Sequence, residues 1–147
     1  MIYFAYGSNM NPERMKGRNI NFSSRKFAKL FDYKLVFNKK AKNGNYTYAN
    51  IIESKNDFIE GSLYEFPDNE IIHLDQAEGY PNHYDKKIVE VTDLENNLIE
   101  ATTYIAKKDK IVIGLKPQRE YLNHILAGRD ILTDEYYANL SKTETCD

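Results

Sequence analysis

The chain has 147 residues, of which 41% are hydrophobic and 29% charged, and its formal net charge at pH 7 is −2. This length and composition predict one globular domain with a single core, and the near-neutral charge argues against a nucleic-acid-binding protein. No apolar stretch is long enough for a signal peptide or a membrane span. The only cysteine, Cys146, excludes a disulfide framework, so we expect a cytoplasmic protein that does not bind membranes.

The chain opens with a predicted strand that runs directly into a turn and a helix. The aromatic segment "IYFAY" at residues 2–6 is typical of a strand. In "NPERM", Asn11 is a candidate N-cap and Pro12 suits the first helical position. The backbone is therefore expected to turn sharply between residues 6 and 11.

Three further strands are predicted before the middle of the chain, at 27–37, 46–53 and 58–66. Asn43-Gly44 favours a hairpin turn between the first two of them. Gly61, inside the third, indicates either a β-bulge or a close approach of another backbone segment.

The pattern becomes helical at residues 67–80, where Asp68 is the candidate N-cap and Gly79 the glycine that ends the helix. Strands are predicted again at 84–92 and 98–106, joined by a turn.

From Pro117 onward the chain is predicted to be helical, since apolar residues return at helical spacing, and a second short helix begins at a Thr133 cap. We expect one domain over residues 1–140 and a frayed tail over 141–147. Five or six mostly antiparallel strands with few helices predict an α+β fold, a curled sheet or small barrel.

The helix at 67–80 carries a candidate catalytic acid. Ile71, Leu74, Asp75 and Glu78 lie on one helical face, and the apolar members direct that face inward. Burial and the negative end of the helix dipole would both raise the pKa of Glu78, as a general acid/base requires. The spacing equally allows a solvated Glu78 at the rim, or Asp75 as the functional acid.

The turn after the first strand is a candidate anion-binding element. Gly7 allows a sharp bend, and Ser8 and Asn9 can hold the loop with their side chains. Free backbone N–H groups before a helix can bind an anion or a developing oxyanion. On its own, the turn is equally compatible with a ligand-free strand-to-helix connection.

Other chemistries have less support. His73, His83 and His124 have no second ligand at metal-binding spacing, so no metal or other cofactor is expected, and Cys146 lies in an acidic tail that does not favour a nucleophile. Residues 25–42 contain seven Lys or Arg and one Asp, interspersed with aromatic residues. This stretch could bind single-stranded nucleic acid, although a solvated strand and hairpin is the favoured interpretation.

Three motifs together resemble the γ-glutamylcyclotransferase family. They are "YFAYGSNM" at the start, "LDQAEGYPNHY" in the middle and "KPQREYLNHILAG" late in the chain, and the resemblance extends over roughly residues 2–140. It implies a small, mostly antiparallel β-barrel flanked by a few helices. It also implies conversion of γ-glutamyl dipeptides or γ-glutamyl amines to 5-oxoproline, with release of the amino acid or amine.

Carried over by position, the resemblance implies that Glu78 is the catalytic glutamate. The implied substrate-binding residues are Tyr3, Phe4, Ala5, Tyr6, Gly7, Ser8, Asn9, Tyr84 and Tyr121. One departure is Gln118, which stands where the family often has serine after proline. It bears on substrate preference more than on the reaction.

The expected partner is a small γ-glutamyl molecule, with no nucleic acid and no membrane. The alternative hypothesis is a non-catalytic barrel that binds an anionic metabolite in the same pocket. The motifs do not indicate whether two copies associate as a homodimer or whether glutathione is a substrate.

Overall fold

Five strands close into a barrel in the computed structural model, which describes residues 1–147 throughout. The strands are β1 (Ile2–Ala5), β2 (Ser24–Lys40), β3 (Thr47–Glu65), β4 (Tyr84–Thr92) and β5 (Leu98–Ala106). The helices are α1 (Pro12–Gly17), α2 (Ile71–Glu78), α3 (Arg119–Leu126) and α4 (Asp134–Ser141), and short 3-10 turns occupy Ser8–Met10, Asp68–Glu70 and Lys108–Lys110.

The strands follow the order β1-β3-β2-β4-β5 around the barrel. All neighbouring pairs are antiparallel except β1 and β5, which meet in parallel at Tyr3 and Thr102 and close the barrel. The prediction of an α+β fold with a small, mostly antiparallel barrel is confirmed.

The two strands predicted at 46–53 and 58–66 are one 19-residue strand, β3, so that part of the prediction is wrong. The polar residues 54–57 lie opposite Asp32, where the ladder with β2 shifts register. Asp32 and Asn56 both have positive φ, and the Asn56 N–H donates to the Asp32 carboxylate at 3.1 Å. A polar run that resembles a strand end is therefore a bulge inside a long ribbon.

Gly61 marks a close backbone approach, one of its two predicted roles. It pairs with Ala28 in regular register, and a Cβ atom placed on it would lie 2.4 Å from the Ala5 carbonyl oxygen. The missing side chain thus lets the Ala5 carbonyl at the end of β1 approach β3 closely.

The predicted helix ends are mostly confirmed. The Asn11 side chain accepts from the Glu13 N–H at 3.1 Å, Thr133 caps α4, and Gly79 ends α2 with φ of 69°. Asp68 is not the N-cap of α2, because a 3-10 turn precedes that helix, and its carboxylate instead pairs with the N-terminal ammonium group.

A buried cluster brings the first and second helices to the same side of the barrel. Met15 of α1 and Leu74 of α2 pack with Tyr3, Tyr64 and Tyr104 in this cluster, and a second, larger cluster fills the remaining core. Burial of these side chains fixes the end of α2 beside the turn that follows β1.

The last six residues form no helix or strand, although the Cys146 N–H donates to the Pro117 carbonyl at 3.0 Å. No helix in the structure combines the length and apolar character needed to cross a bilayer.

Candidate active site

A cavity of about 270 Å³ opens between the turn after β1, the end of α2 and the barrel strands. Of the residues predicted for the site, it is lined by Tyr3, Tyr6, Gly7, Ser8, Asn9, Glu78, Tyr84 and Tyr121. The structure thus brings together the opening motif, the middle motif and the late motif, which are far apart in the sequence.

Phe4 and Ala5 do not line the cavity, which corrects the corresponding part of the prediction. Both are 0% exposed, and Phe4 packs in the larger core cluster. Strand alternation directs Phe4 to the face opposite Tyr3, whereas Ala5 shares the face of Tyr3 and packs in the same buried cluster.

The turn after β1 forms part of the cavity wall, which Gly7, Ser8 and Asn9 line. Its first backbone hydrogen bond runs from Met10 N to Gly7 O at 2.9 Å, so the N–H groups of Gly7, Ser8 and Asn9 precede the first intrahelical donor. A Cβ atom on Gly7 would lie 3.2 Å from the Tyr121 hydroxyl, which leaves little space for any larger residue.

Glu78 is the last residue of α2, and its side chain is 19% exposed. Its Oε1 accepts from Asn9 Nδ2 at 3.1 Å and lies 3.5 Å from Arg18 Nη1. Burial raises the pKa of the Glu78 carboxyl above its usual range, while Arg18 and the hydrogen bond from Asn9 partly oppose that rise. A carboxyl whose pKa is raised by burial is better suited to general acid/base catalysis than a fully hydrated one.

Asp75, the alternative acid, is committed to other contacts. Its carboxylate accepts from the Tyr104 hydroxyl at 2.7 Å and from Lys86 Nζ at 3.0 Å, and it does not line the cavity. Of the two acids on this helical face, Glu78 alone therefore faces the space where a ligand fits.

Tyr84 and Tyr121 hold one residue of β3 from two sides. The Tyr84 hydroxyl donates to the Ala49 carbonyl at 2.9 Å, and the Tyr121 hydroxyl accepts from the Ala49 N–H at 3.0 Å. Burial raises the pKa of both phenols, so both are neutral at physiological pH. These contacts shape the cavity wall.

Several lining residues were missed by the sequence analysis. The cavity also contains Arg14, Arg18, Lys39, Lys42, Tyr48, Ala49, Gln76, Ala77, Gly79, His83 and Tyr104. Arg14 and Arg18 are four residues apart next to the predicted turn, so helical spacing could have suggested them. Lys39 and Lys42 had no local signal apart from membership of the basic stretch.

The basic stretch at residues 25–42 is distributed over different environments. Arg25 pairs with Asp130, Lys26 pairs with Asp93, and Lys39 and Lys42 line the cavity. The cavity thus contains four Arg or Lys side chains and one carboxyl group, which suits an anionic ligand. No group of three or more His, Cys, Asp or Glu side chains is arranged to hold a metal ion.

Comparison with known proteins agrees with this geometry. A family model described as "Gamma-glutamyl cyclotransferase, AIG2-like" matches residues 3–128. A gamma-glutamylcyclotransferase from Bos taurus is 34% identical over 82 residues, which cover 53% of this chain and 44% of the bovine protein. The chain thus matches less than half the length of that relative.

Solved structures extend the similarity to the whole chain. A structure described as a gamma-glutamyl cyclotransferase has a TM-score of 0.88 at 26% identity and covers 100% of this chain and 89% of its own. An uncharacterized protein from Homo sapiens has a TM-score of 0.87 at 28% identity, with coverage of 99% and 89%. Because the family model spans most of the residues and the fold agrees, the chain belongs to the gamma-glutamyl cyclotransferase, AIG2-like family.

Proposed function

We propose that the protein is a γ-glutamylcyclotransferase in which Glu78 is the general acid/base. The α-amino nitrogen of a γ-glutamyl compound attacks the compound's own γ-carbonyl carbon, and a five-membered ring closes. The bond from that carbon to the leaving nitrogen then breaks, which yields 5-oxoproline and a free amino acid or amine.

The observation that carries the proposal is the position of the Glu78 carboxyl. It lies in a cavity, 3.1 Å from Asn9 of the opposing turn, with a pKa raised by burial. In the proposed reaction, the carboxylate takes a proton from the substrate's α-ammonium group and so frees the nucleophile. The resulting carboxylic acid returns this proton to the leaving nitrogen, and the second proton that the attacking nitrogen loses on ring closure passes to the released amine, so that one residue serves both steps.

The substrate supplies its own nucleophile, so the enzyme contributes orientation. Effective molarities of ~10⁵ M or more show how much a well-oriented intramolecular attack gains over a random encounter. The buried tyrosines and the narrow turn at Gly7 give the cavity a fixed shape that suits a folded glutamyl group. Its volume of about 270 Å³ is compatible with a small substrate.

The cations and amides of the opening segment would bind the substrate's charged oxygens. Arg14 and Arg18 come from α1 and its end, and the Ser8 and Asn9 N–H groups come from the preceding turn. These donors suit either the α-carboxylate of the glutamyl group or the oxyanion that develops on the γ-carbonyl.

The test is Glu78→Gln, which keeps the shape of the side chain and removes its proton-accepting group. We expect 5-oxoproline formation from a panel of γ-glutamyl dipeptides and amines, measured by mass spectrometry, to fall by ~10²–10⁴. The matched control is Asp75→Asn, on the same helix but outside the cavity, which should retain turnover.

A thermal melt should show that both variants are folded. Retained turnover in Glu78→Gln would remove Glu78 from the mechanism, whereas loss in Asp75→Asn alone would transfer the role to Asp75.

The excess of cations in the cavity also fits the second candidate function, a non-catalytic site for an anionic metabolite. The same variant separates the two functions. In the binding protein, Glu78→Gln should preserve or tighten affinity for glutarate, measured by calorimetry, and wild type should yield no 5-oxoproline from any compound of the panel.

A further inference from the structure

Lys39 is a buried cation without an anionic partner. Lys39 is 3% exposed and takes part in none of the ion pairs of the structure. Lysine is almost never fully buried unless it is paired, because removing an ammonium group from water is costly. Lys39 also lines the cavity that contains Glu78, so a bound anion could reach it.

The hydrogen bonds of Lys39 leave part of its capacity free. Its Nζ donates to the Lys40 carbonyl oxygen and to His83 Nδ1, each at 2.9 Å. An ammonium group has three N–H donors, so one remains for a ligand. The Tyr48 and Tyr84 rings each lie 5.8 Å from Nζ, and their faces stabilise the cation without neutralising it.

The surrounding charges are mostly positive. Burial lowers the pKa of the Lys39 ammonium group, and the charges of Lys110 and Lys40 lower it further, whereas Glu78 acts in the opposite direction. Lys42, exposed in the hairpin after β2, lines the same cavity. An incoming anion would relieve both the repulsion and the unpaired burial.

This group of cations is separate from the arginines that face Glu78. Arg18 Nη1 contacts Glu78 and Asn9, and Arg14 Nη1 lies 3.1 Å from His124 Nε2. Lys39 and Lys42 belong to β2 and the hairpin that follows it, whereas the two arginines belong to α1 and its C-terminal end. Two sets of cations in one cavity suit a substrate with two anionic groups. A γ-glutamyl amino acid has two carboxylates, one on the glutamyl group and one on the leaving amino acid. A γ-glutamyl amine has only the carboxylate of the glutamyl group.

We propose that Lys39, assisted by Lys42, binds the carboxylate of the residue that is released, so the enzyme prefers γ-glutamyl amino acids to γ-glutamyl amines. This inference rests on the cyclotransferase function proposed above. It makes Lys39 a specificity-determining residue, which contacts the leaving group while Glu78 transfers the protons.

The test compares γ-glutamylalanine with γ-glutamylalaninamide, which are nearly equal in size and differ by one carboxylate. We expect the kcat/KM of wild type to be ~10-fold or more higher for γ-glutamylalanine than for γ-glutamylalaninamide, mainly because KM is lower. This is the size of effect expected for one hydrogen bond to a charged group. Lys39→Met should reduce the ratio to within ~3-fold, and Lys39→Arg should retain most of it.

Lys40→Met is the matched control. Lys40 is the next residue, its Nζ donates to the Ala41 and Gly44 carbonyls, and it does not line the cavity. Its substitution removes the same charge and should leave the wild-type ratio. Lys42→Met changes an exposed side chain and should not prevent folding, so it tests the site even if Lys39→Met does not fold. We expect it to reduce the kcat/KM ratio at least ~2-fold.

Three results would overturn the inference. Equal kcat/KM values for the two substrates in wild type would refute the preference and leave the cyclotransferase function intact, since 5-oxoproline would still form. An undiminished preference in folded Lys39→Met, or in Lys42→Met when Lys39→Met is unfolded, would refute the assigned residues. No 5-oxoproline from these two substrates or from any compound of the wider panel would instead reject the proposed function and, with it, this inference.

Discussion

The side-chain amide of Asn9 links the Glu78 carboxyl to the turn that follows β1. Asn9 Nδ2 lies 3.1 Å from Glu78 Oε1 and 2.9 Å from the Tyr3 hydroxyl, and Asn9 is 2% exposed. The Tyr64 hydroxyl in turn donates to the Asn9 carbonyl at 2.7 Å. Asn9 and Glu78, which are 69 positions apart in the chain, are thus held in contact, and the Glu78 side chain is directed toward the cavity.

The pH dependence of activity should follow the ionisation of Glu78. In the proposed mechanism the free enzyme needs the Glu78 carboxylate as a base, so kcat/KM should fall as pH decreases through the Glu78 pKa. Burial raises that pKa and Arg18 is the largest opposing influence. Arg18→Met should therefore raise the pKa further and move the acid limb of the kcat/KM profile to higher pH.

Lys16→Met is the control for this shift. Lys16 lies two residues earlier, is well exposed and pairs with Glu13, so its loss should leave the acid limb in place. An acid limb that stays in place or moves to lower pH in Arg18→Met would contradict the assignment of the limb to Glu78.

Gly7 and Tyr121 should be energetically coupled. The φ angle of Gly7 is −108°, which any residue can adopt, so backbone strain does not oppose Gly7→Ala. The obstacle is lack of space, because the new Cβ atom would lie 3.2 Å from the Tyr121 hydroxyl and 3.4 Å from Ala49 Cβ. We expect Gly7→Ala to raise KM several-fold, with a loss of stability of about 1 kcal/mol.

Tyr121→Phe removes the crowded hydroxyl, so a double-mutant cycle tests this coupling. The combined loss of stability in Gly7→Ala/Tyr121→Phe, measured by urea unfolding, should be smaller than the sum of the single losses. Additive losses would show that the Cβ atom is accommodated elsewhere.

Tyr84→Phe should destabilise the cavity wall. The variant leaves the Ala49 carbonyl without the donor that lies 2.9 Å away, and an unpaired buried polar group costs about 1–3 kcal/mol. We expect a lower free energy of unfolding together with a raised KM. Tyr33→Phe is the control, because the Tyr33 hydroxyl contacts only Lys87 at an exposed position, and it should change both quantities little.

The contact between Glu60 and Thr133 should contribute to stability and not to catalysis. Glu60 is 2% exposed in β3 and accepts from the Thr133 N–H at 2.8 Å and from its hydroxyl at 2.7 Å. The same hydroxyl accepts from the Tyr136 N–H and caps α4. Thr133→Ala should therefore lower the free energy of unfolding by about 1–3 kcal/mol, with kcat/KM unchanged.

Thr133→Ser retains the hydroxyl and serves as the matched variant. It should recover most of the stability in the same denaturation experiment. Equal losses of stability for the alanine and serine variants would assign the effect to the lost methyl group. They would contradict the role of the two hydrogen bonds made by the hydroxyl, to Glu60 and from the Tyr136 N–H.

Short-range signals account for the successful structural predictions. The Asn11 cap, the Thr133 cap and the glycine ending at Gly79 each depend on a few neighbouring residues, and all three are present. Asp68 offered the same kind of signal, but an added 3-10 turn and the N-terminal ammonium group redirected its side chain. A cap prediction fails when a distant group competes for the same oxygen atoms.

By itself, the sequence determined the strand-turn-helix opening, the inward face of the helix that ends at Glu78 and the mostly antiparallel strand pattern. Local periodicity and turn chemistry suffice for these features. Only the tertiary structure showed that Glu78 lines the cavity and Asp75 does not, excluded Phe4 and Ala5 from the cavity wall and placed Lys39 in it. Those outcomes depend on contacts between segments tens of residues apart, and barrel closure and burial set such contacts only when the whole chain has folded.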